Sequence, residues 1–140
     1  MAATIKEKSC GTVVYHKKDD GYEFLLLHYP EGHWDFPKGH VEKDETEIET
    51  ALRELEEETD IKDGKVHEGF REKMHYFFQH KEKLISKDVI YFLVEASDQD
   101  VALSHEHKNF LWLSYEEAHE KMTFENGKEI LKKGFEFLAR

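Results

Sequence analysis

Cysteine is nearly missing from this chain: Cys10 is the only one among 140 residues, so no internal disulfide can form. That fits a reducing compartment, and Cys10, flanked by apolar and β-branched residues, reads as a small strand hydrophobe and not as a reactive thiol. Positive charge is also short. Twenty Lys and Arg face 31 Asp and Glu, which leaves −11 at pH 7. Long nucleic acids need a basic footprint, so this balance disfavours them as partners. A small phosphorylated ligand held by a few cations and a metal remains compatible with it. No apolar run approaches the roughly 20 residues of a membrane span. The N-terminal MAATIKEKSC has no apolar signal core, so no membrane partner is expected and the expected location is cytoplasmic. Repeats, low-complexity stretches and linkers are absent as well.

What is present argues for one globular domain over 1–140: 39% of the residues are hydrophobic and 13% are aromatic. Residues 9–16 and 22–29 read as strands separated by the turn KKDDG, and 34–36 as a short extended piece. Residues 69–80 and 87–96 read as two further strands joined by a charged loop over 81–86. Residues 110–113 make a last short strand, followed by a helix capped by Ser114 and an amphipathic helix over 127–139. Strands interrupted by one helix and closed by helices predict an α/β fold, a mixed sheet with helices on both faces.

The interrupting helix, expected over 45–59, is the most informative segment. Asp44 is the expected N-cap, with Glu47 three residues on in the manner of a capping box. Ile48, Ala51, Leu52 and Leu55 form the expected core-facing stripe. On another side, Glu54, Glu57 and Glu58 are spaced i, i+3, i+4 and rise together. Like charges so placed repel, and a hard divalent cation with oxygen ligands is the natural compensation. Arg53, four residues before Glu57, can pair with it. The plainer reading of such a run is a solvated, glutamate-rich surface helix.

Spacing decides between the two. The run from Gly39 to Ile61 resembles the signature of the Nudix hydrolase family, G-x(5)-E-x(7)-R-E-U-x-E-E-x-G-U with U a bulky aliphatic. Gly39, Glu45, Arg53, Glu54, Leu55, Glu57, Glu58 and Ile61 match it, and Asp60 stands in place of the second glycine. FPKGHVE, the strand holding Tyr76, Lys87 before VIYFLVE, and LSHEHKNFLWL narrow the likeness to asymmetric diadenosine tetraphosphate hydrolases, over about 10–137. The resemblance implies a Nudix-type α/β/α sandwich and Mg²⁺ or Mn²⁺ held by Glu54, Glu57 and Glu58, with the Lys38 carbonyl joining them. It implies catalytic roles for Glu54, Arg53 and Glu106, the last orienting or deprotonating water. It gives phosphate contacts to Lys38 and Lys87, with His40 beside them as a further substrate-binding candidate, and one side of an adenine clamp to Tyr76. Phe124 is the best match for the other side. Diadenosine tetraphosphate would yield ATP and AMP.

Each of these has a simpler alternative. Lys38, Lys83 and Lys87 taken singly are ordinary solvated lysines, and Tyr76 and Phe124 taken singly are core aromatics. His105 and His107 flank Glu106 in a zinc-like pattern, but no CxxC or HExxH supplies the remaining ligands. Other Nudix substrates stay open: a diphosphoinositol phosphate, an RNA 5′ end or a damaged nucleotide. So does a nucleotide sensor without turnover, against which the intact carboxylate set argues.

Overall fold

The computed structural model describes residues 4–140, so the first three residues of the N-terminal stretch considered above lie outside it. The described elements are β1 (Thr4–Lys18), β2 (Gly21–His28), β3 (Trp34–Asp35), β4 (Lys38–His40), α1 (Glu47–Thr59), β5 (Lys65–Val66), β6 (Glu72–His80), β7 (Lys83–Glu95), β8 (Asn109–Leu113), α2 (Tyr115–Lys121) and α3 (Glu125–Leu138). The strands form one mixed sheet whose spine runs β3-β2-β1-β7-β5, with β4 on β1, β6 on β7 and β8 on β2. β1 and β7 run parallel from Thr4↔Leu84 to Tyr15↔Glu95, and the other pairs are antiparallel.

Alternation along these strands builds two cores from one sheet. Val13, Tyr15, Phe24, Leu26, Tyr91 and Leu93 point to the face covered by Ala118 and Met122 near α2 and by Ile130 and Leu131 of α3. Val14, Leu25, Leu27 and Val94 point to the opposite face, under Leu55 of α1. Cys10, Ile90 and Phe92 continue that face beneath Ala51. Both faces are therefore covered, which is why the central strands read as continuous apolar runs. Cys10 is fully buried, as a strand hydrophobe should be.

Several local expectations are corrected. The N-cap of α1 is Thr46, not Asp44: the Thr46 hydroxyl accepts from Glu49 N–H, and the Glu49 carboxylate accepts from Thr46 N–H. Asp44 instead sits in the preceding turn at φ 69°, a conformation short polar residues tolerate. Glu47 is thereby free to take a forked pair from Arg71, at 2.8 and 2.9 Å, and Lys8 at 2.6 Å. Ile48 is 43% exposed and does not complete the apolar stripe, because α1 packs through Ala51 and Leu55. The charged loop expected over 81–86 is a two-residue turn. Lys81 and Glu82 both have positive φ, and His80 pairs directly with Lys83, so β6 and β7 form a tight hairpin with the matching twist. The short β5 was not anticipated; two residues give no periodicity to read.

At the C-cap of α1, Asp60 adopts φ 62°, ψ 16° and donates its N–H to Glu56 O at 2.8 Å. This is the left-handed cap that glycine supplies without strain. Asp60→Gly is expected to stabilise the fold by up to about 1 kcal/mol, the approximate cost of that conformation for a residue with a Cβ. Urea unfolding checks it; a loss of stability would show that the Asp60 side chain contributes more than its backbone strain costs.

Candidate active site

Close backbone packing assembles the site. Gly11 in β1 lets β4 approach: a Cβ there would lie 2.5 Å from Pro37 O and 2.7 Å from Lys38 Cβ. Gly39 in β4 leaves room for the Glu54 carboxylate, which overlaps the place a Cβ would take. Lys38 N–H donates to Glu58 Oε1 at 3.2 Å. β4 and the acidic side of α1 are thus held against each other.

The loop carrying Glu106 is tied to the same helix. Ala102 N–H donates to Thr59 O and Ser104 N–H to Glu58 O, both at 3.0 Å. His107 is buried against the edge of Tyr29, 4.6 Å between ring centroids, and its Nδ1 lies 3.1 Å from Ser104 Oγ. Glu106 consequently faces an open cleft of about 610 Å³ lined also by Lys38, His40, Glu54, Glu58 and Lys87. A smaller hollow of about 440 Å³, between 60–63 and 96–102, contains none of the candidate residues.

Electrostatics distinguishes the members of this cleft. Burial, then Glu54 and Glu106, push the Glu58 carboxyl up to about 9, with the Lys38 N–H opposing them. Glu54 is also raised, by burial first and with Glu57 and Glu106 contributing, against the pull of Arg53. Burial lowers the Lys87 pKa, and the nearby Lys38 lowers it further. Lys38 behaves differently: burial favours its neutral form, but the charge and hydrogen bond of Asp35 outweigh that and leave it raised.

Arg53 organises the outer side. Its Nε donates to Glu45 Oε2 at 2.6 Å and its Nη2 to His40 O at 3.0 Å, while Nη1 reaches Glu54 and Glu57 at 3.3 and 3.2 Å. Glu45 is held down at about 2, mainly by the Arg53 hydrogen bond. Glu57 is 56% exposed on its side chain and engaged by Arg53 in place of lining the cleft. Tyr76 is half-buried on β6, in register with Lys87 and therefore on the same face of the sheet. Phe124 is 51% exposed at the N-cap of α3, its ring 5.3 Å from that of His33, and does not line the cleft.

The cleft is also lined by Ser9, Tyr29, Pro30, Glu31 and Glu42, to which the sequence assigns no role, and by His107, which it offers only as half of a zinc-like pair. Tyr29 and its neighbours follow β2 in an irregular loop, where no periodic signal marks a direction. Glu7 has no local signal for a different reason. It lies in β1 opposite Lys87, and its carboxylate reaches His40 Nε2 at 3.4 Å and Lys87 Nζ at 3.9 Å only through that long-range pairing.

The donor set fits a divalent cation. A buried carboxyl pushed up to about 9 holds a proton at neutral pH, and a cation is a chemically matched replacement for that proton. Among the described residues, no three His, Cys, Asp or Glu side chains close into a finished metal cage. Mg²⁺ does not require one, since it keeps several waters and binds through one or two carboxylates plus substrate phosphates.

Residues 8–133 match the family model described as the NUDIX domain. The chain is 41% identical to the bis(5′-nucleosyl)-tetraphosphatase [asymmetrical] of Rattus norvegicus and 38% identical to that of Sus scrofa, in each case over 94% of this chain and 95% of the relative. A crystal structure of a C. elegans Ap4A hydrolase binary complex superposes with a TM-score of 0.84 at 38% identity, covering 95% of this chain and 98% of the other. With signature, site geometry and fold in agreement, the chain belongs to the NUDIX family.

Proposed function

We propose that this protein hydrolyses dinucleoside polyphosphates asymmetrically, with diadenosine tetraphosphate and water giving ATP and AMP. The observation that carries the reading is the meeting of Glu54, Glu58 and Glu106 with Lys38, His40 and Lys87 in one cleft. The named activity of the relatives, which match nearly end to end, points the same way.

Glu54, Glu57 and Glu58, with the Lys38 carbonyl, would hold Mg²⁺ or Mn²⁺. The cation supplies charge neutralisation on the phosphates and a more acidic water. Lys38, His40 and Lys87 bind the polyphosphate, and Lys87 is poised for this because burial deprives its charge of solvent. Glu106 accepts the proton of the attacking water as its oxygen bonds to phosphorus and the bridging oxygen leaves with the departing nucleotide. Arg53 holds Glu54, Glu57 and the Glu45 loop in register. Tyr76 stacks on one adenine, with Phe124 as the candidate for its opposite side. No described helix is long and apolar enough to cross a membrane, and a cytoplasmic setting belongs to the same proposal.

A panel of diadenosine polyphosphates, a diphosphoinositol phosphate, capped RNA and oxidised nucleotides, with products identified, tests the reading. Preferential turnover of anything but the dinucleotides would replace it. Glu106→Gln should lower kcat about 100-fold, the scale of general-base catalysis, with KM changed little. A normal kcat in this variant moves the base elsewhere, with Glu54 the first candidate. Tyr76→Ala should raise KM for diadenosine tetraphosphate about tenfold, within the ~1–3 kcal/mol of one stacked base, and affect kcat less. An unchanged KM would make Tyr76 a packing residue.

A further inference from the structure

Asp35 is a carboxylate in an unusual place. It is 2% exposed, belongs to the short strand β3 and is outside the cleft lining. Its Oδ1 accepts from Phe36 N–H at 2.7 Å, and its Oδ2 accepts from Lys38 Nζ at 3.0 Å. Among the described residues, Lys38 is the only cation paired with it. Tyr91 is wholly buried nearby, with Asp35 the charge it feels most, yet its hydroxyl makes no hydrogen bond among the described residues. Lys38 is therefore the only side-chain donor that Asp35 has among the described residues.

We propose that Asp35 is a positioning residue that fixes the Lys38 ammonium for phosphate binding. A buried carboxylate stripped of its cation is strongly unfavourable, so Lys38 remains docked. An ammonium has three donors; Asp35 uses one, which leaves two for phosphate oxygens. A lysine stem would otherwise sample many rotamers, and the phosphate would have to order it on binding. With its backbone N–H on Glu58 and its ammonium on Asp35, Lys38 is anchored at both ends before any ligand arrives. Phosphate comes to a fixed cation. This rests on the phosphate-binding role given to Lys38 under the proposed function.

Asp35 acts through Lys38 or not at all, so a double-mutant cycle decides the matter. The probe is inorganic tripolyphosphate with Mg²⁺, its Kd measured calorimetrically for wild type, Asp35→Asn, Lys38→Met and the double variant. Each single change should weaken binding about tenfold, and the double variant should match Lys38→Met within about twofold. Wild-type binding in Asp35→Asn, or effects that multiply in the double variant, would overturn the proposal. So would a failure of the wild-type protein to bind tripolyphosphate. If Asp35→Asn does not fold, Asp35→Glu keeps the charge and moves the carboxylate by one methylene; binding should still weaken, and unchanged binding overturns the proposal. In turnover, Asp35→Asn should raise KM more than it lowers kcat, a split that general loss of structure does not produce. Binding without cleavage of any dinucleotide would remove the functional reading and leave Asp35 to be judged by the cycle.

Discussion

Glu58→Gln should fold and lose about 1000-fold in kcat, roughly 4 kcal/mol of transition-state stabilisation. The change keeps volume and removes the charge at the most buried carboxylate of the cleft. In the free protein that charge is disfavoured, since burial, Glu54 and Glu106 push its carboxyl up to about 9. The neutral amide therefore suits the empty fold, and thermal stability should hold or rise. Its oxygen can still accept the Lys38 N–H that Glu58 Oε1 accepts at 3.2 Å. What it cannot do is compensate a divalent cation. Loss of activity with retained or improved stability is the signature of a group held for chemistry at the expense of the fold. Activity within about tenfold of wild type would remove Glu58 from the metal site.

The second large effect is expected at Arg53. Arg53→Ala should reduce kcat/KM about 100-fold, near 2.7 kcal/mol, without touching a substrate atom. One guanidinium holds Glu45, Glu54, Glu57 and the His40 carbonyl. Its removal leaves Glu54 and Glu57 repelling each other and releases Glu45 from its 2.6 Å partner, which loosens the entry to α1. Arg53→Lys should recover little, because a point charge cannot span these acceptors in fork geometry. Full activity in Arg53→Lys would show that only the charge matters and that the fork is incidental. Thermal melting separates the two consequences: Arg53→Ala should melt earlier than wild type, whereas Glu58→Gln should not.

These residues also show how far the sequence could be read. Glu54, Glu57 and Glu58 share a helix, so spacing alone brings them to one side, and the structure puts Glu54 and Glu58 in the cleft. The i, i+4 spacing also predicts the Arg53–Glu57 pair, which forms at 3.2 Å, but not that Glu57 thereby stays outside the cleft, since that depends on where Glu45 and His40 lie around Arg53. Strands β1, β2 and β7 were legible because both faces of the sheet are covered and the runs are apolar throughout. The start of α1 was less so. Asp44 and Thr46 are both good caps, and what separates them is the φ of 69° that the turn demands of Asp44. Ile48 misled because an apolar residue in the first turn of a helix need not meet the core. Asp35 and Glu7 were invisible for a common reason. Their partners are set by strand register and by the bend between β3 and β4, neither of which has a local pattern.

The most direct test of the central claim is product identification from diadenosine tetraphosphate with purified protein, with and without Mg²⁺. The account predicts ATP and AMP in equal amounts, formed only with the cation and lost in Glu58→Gln. Two molecules of ADP, or equal turnover in the presence of a chelator, would contradict it.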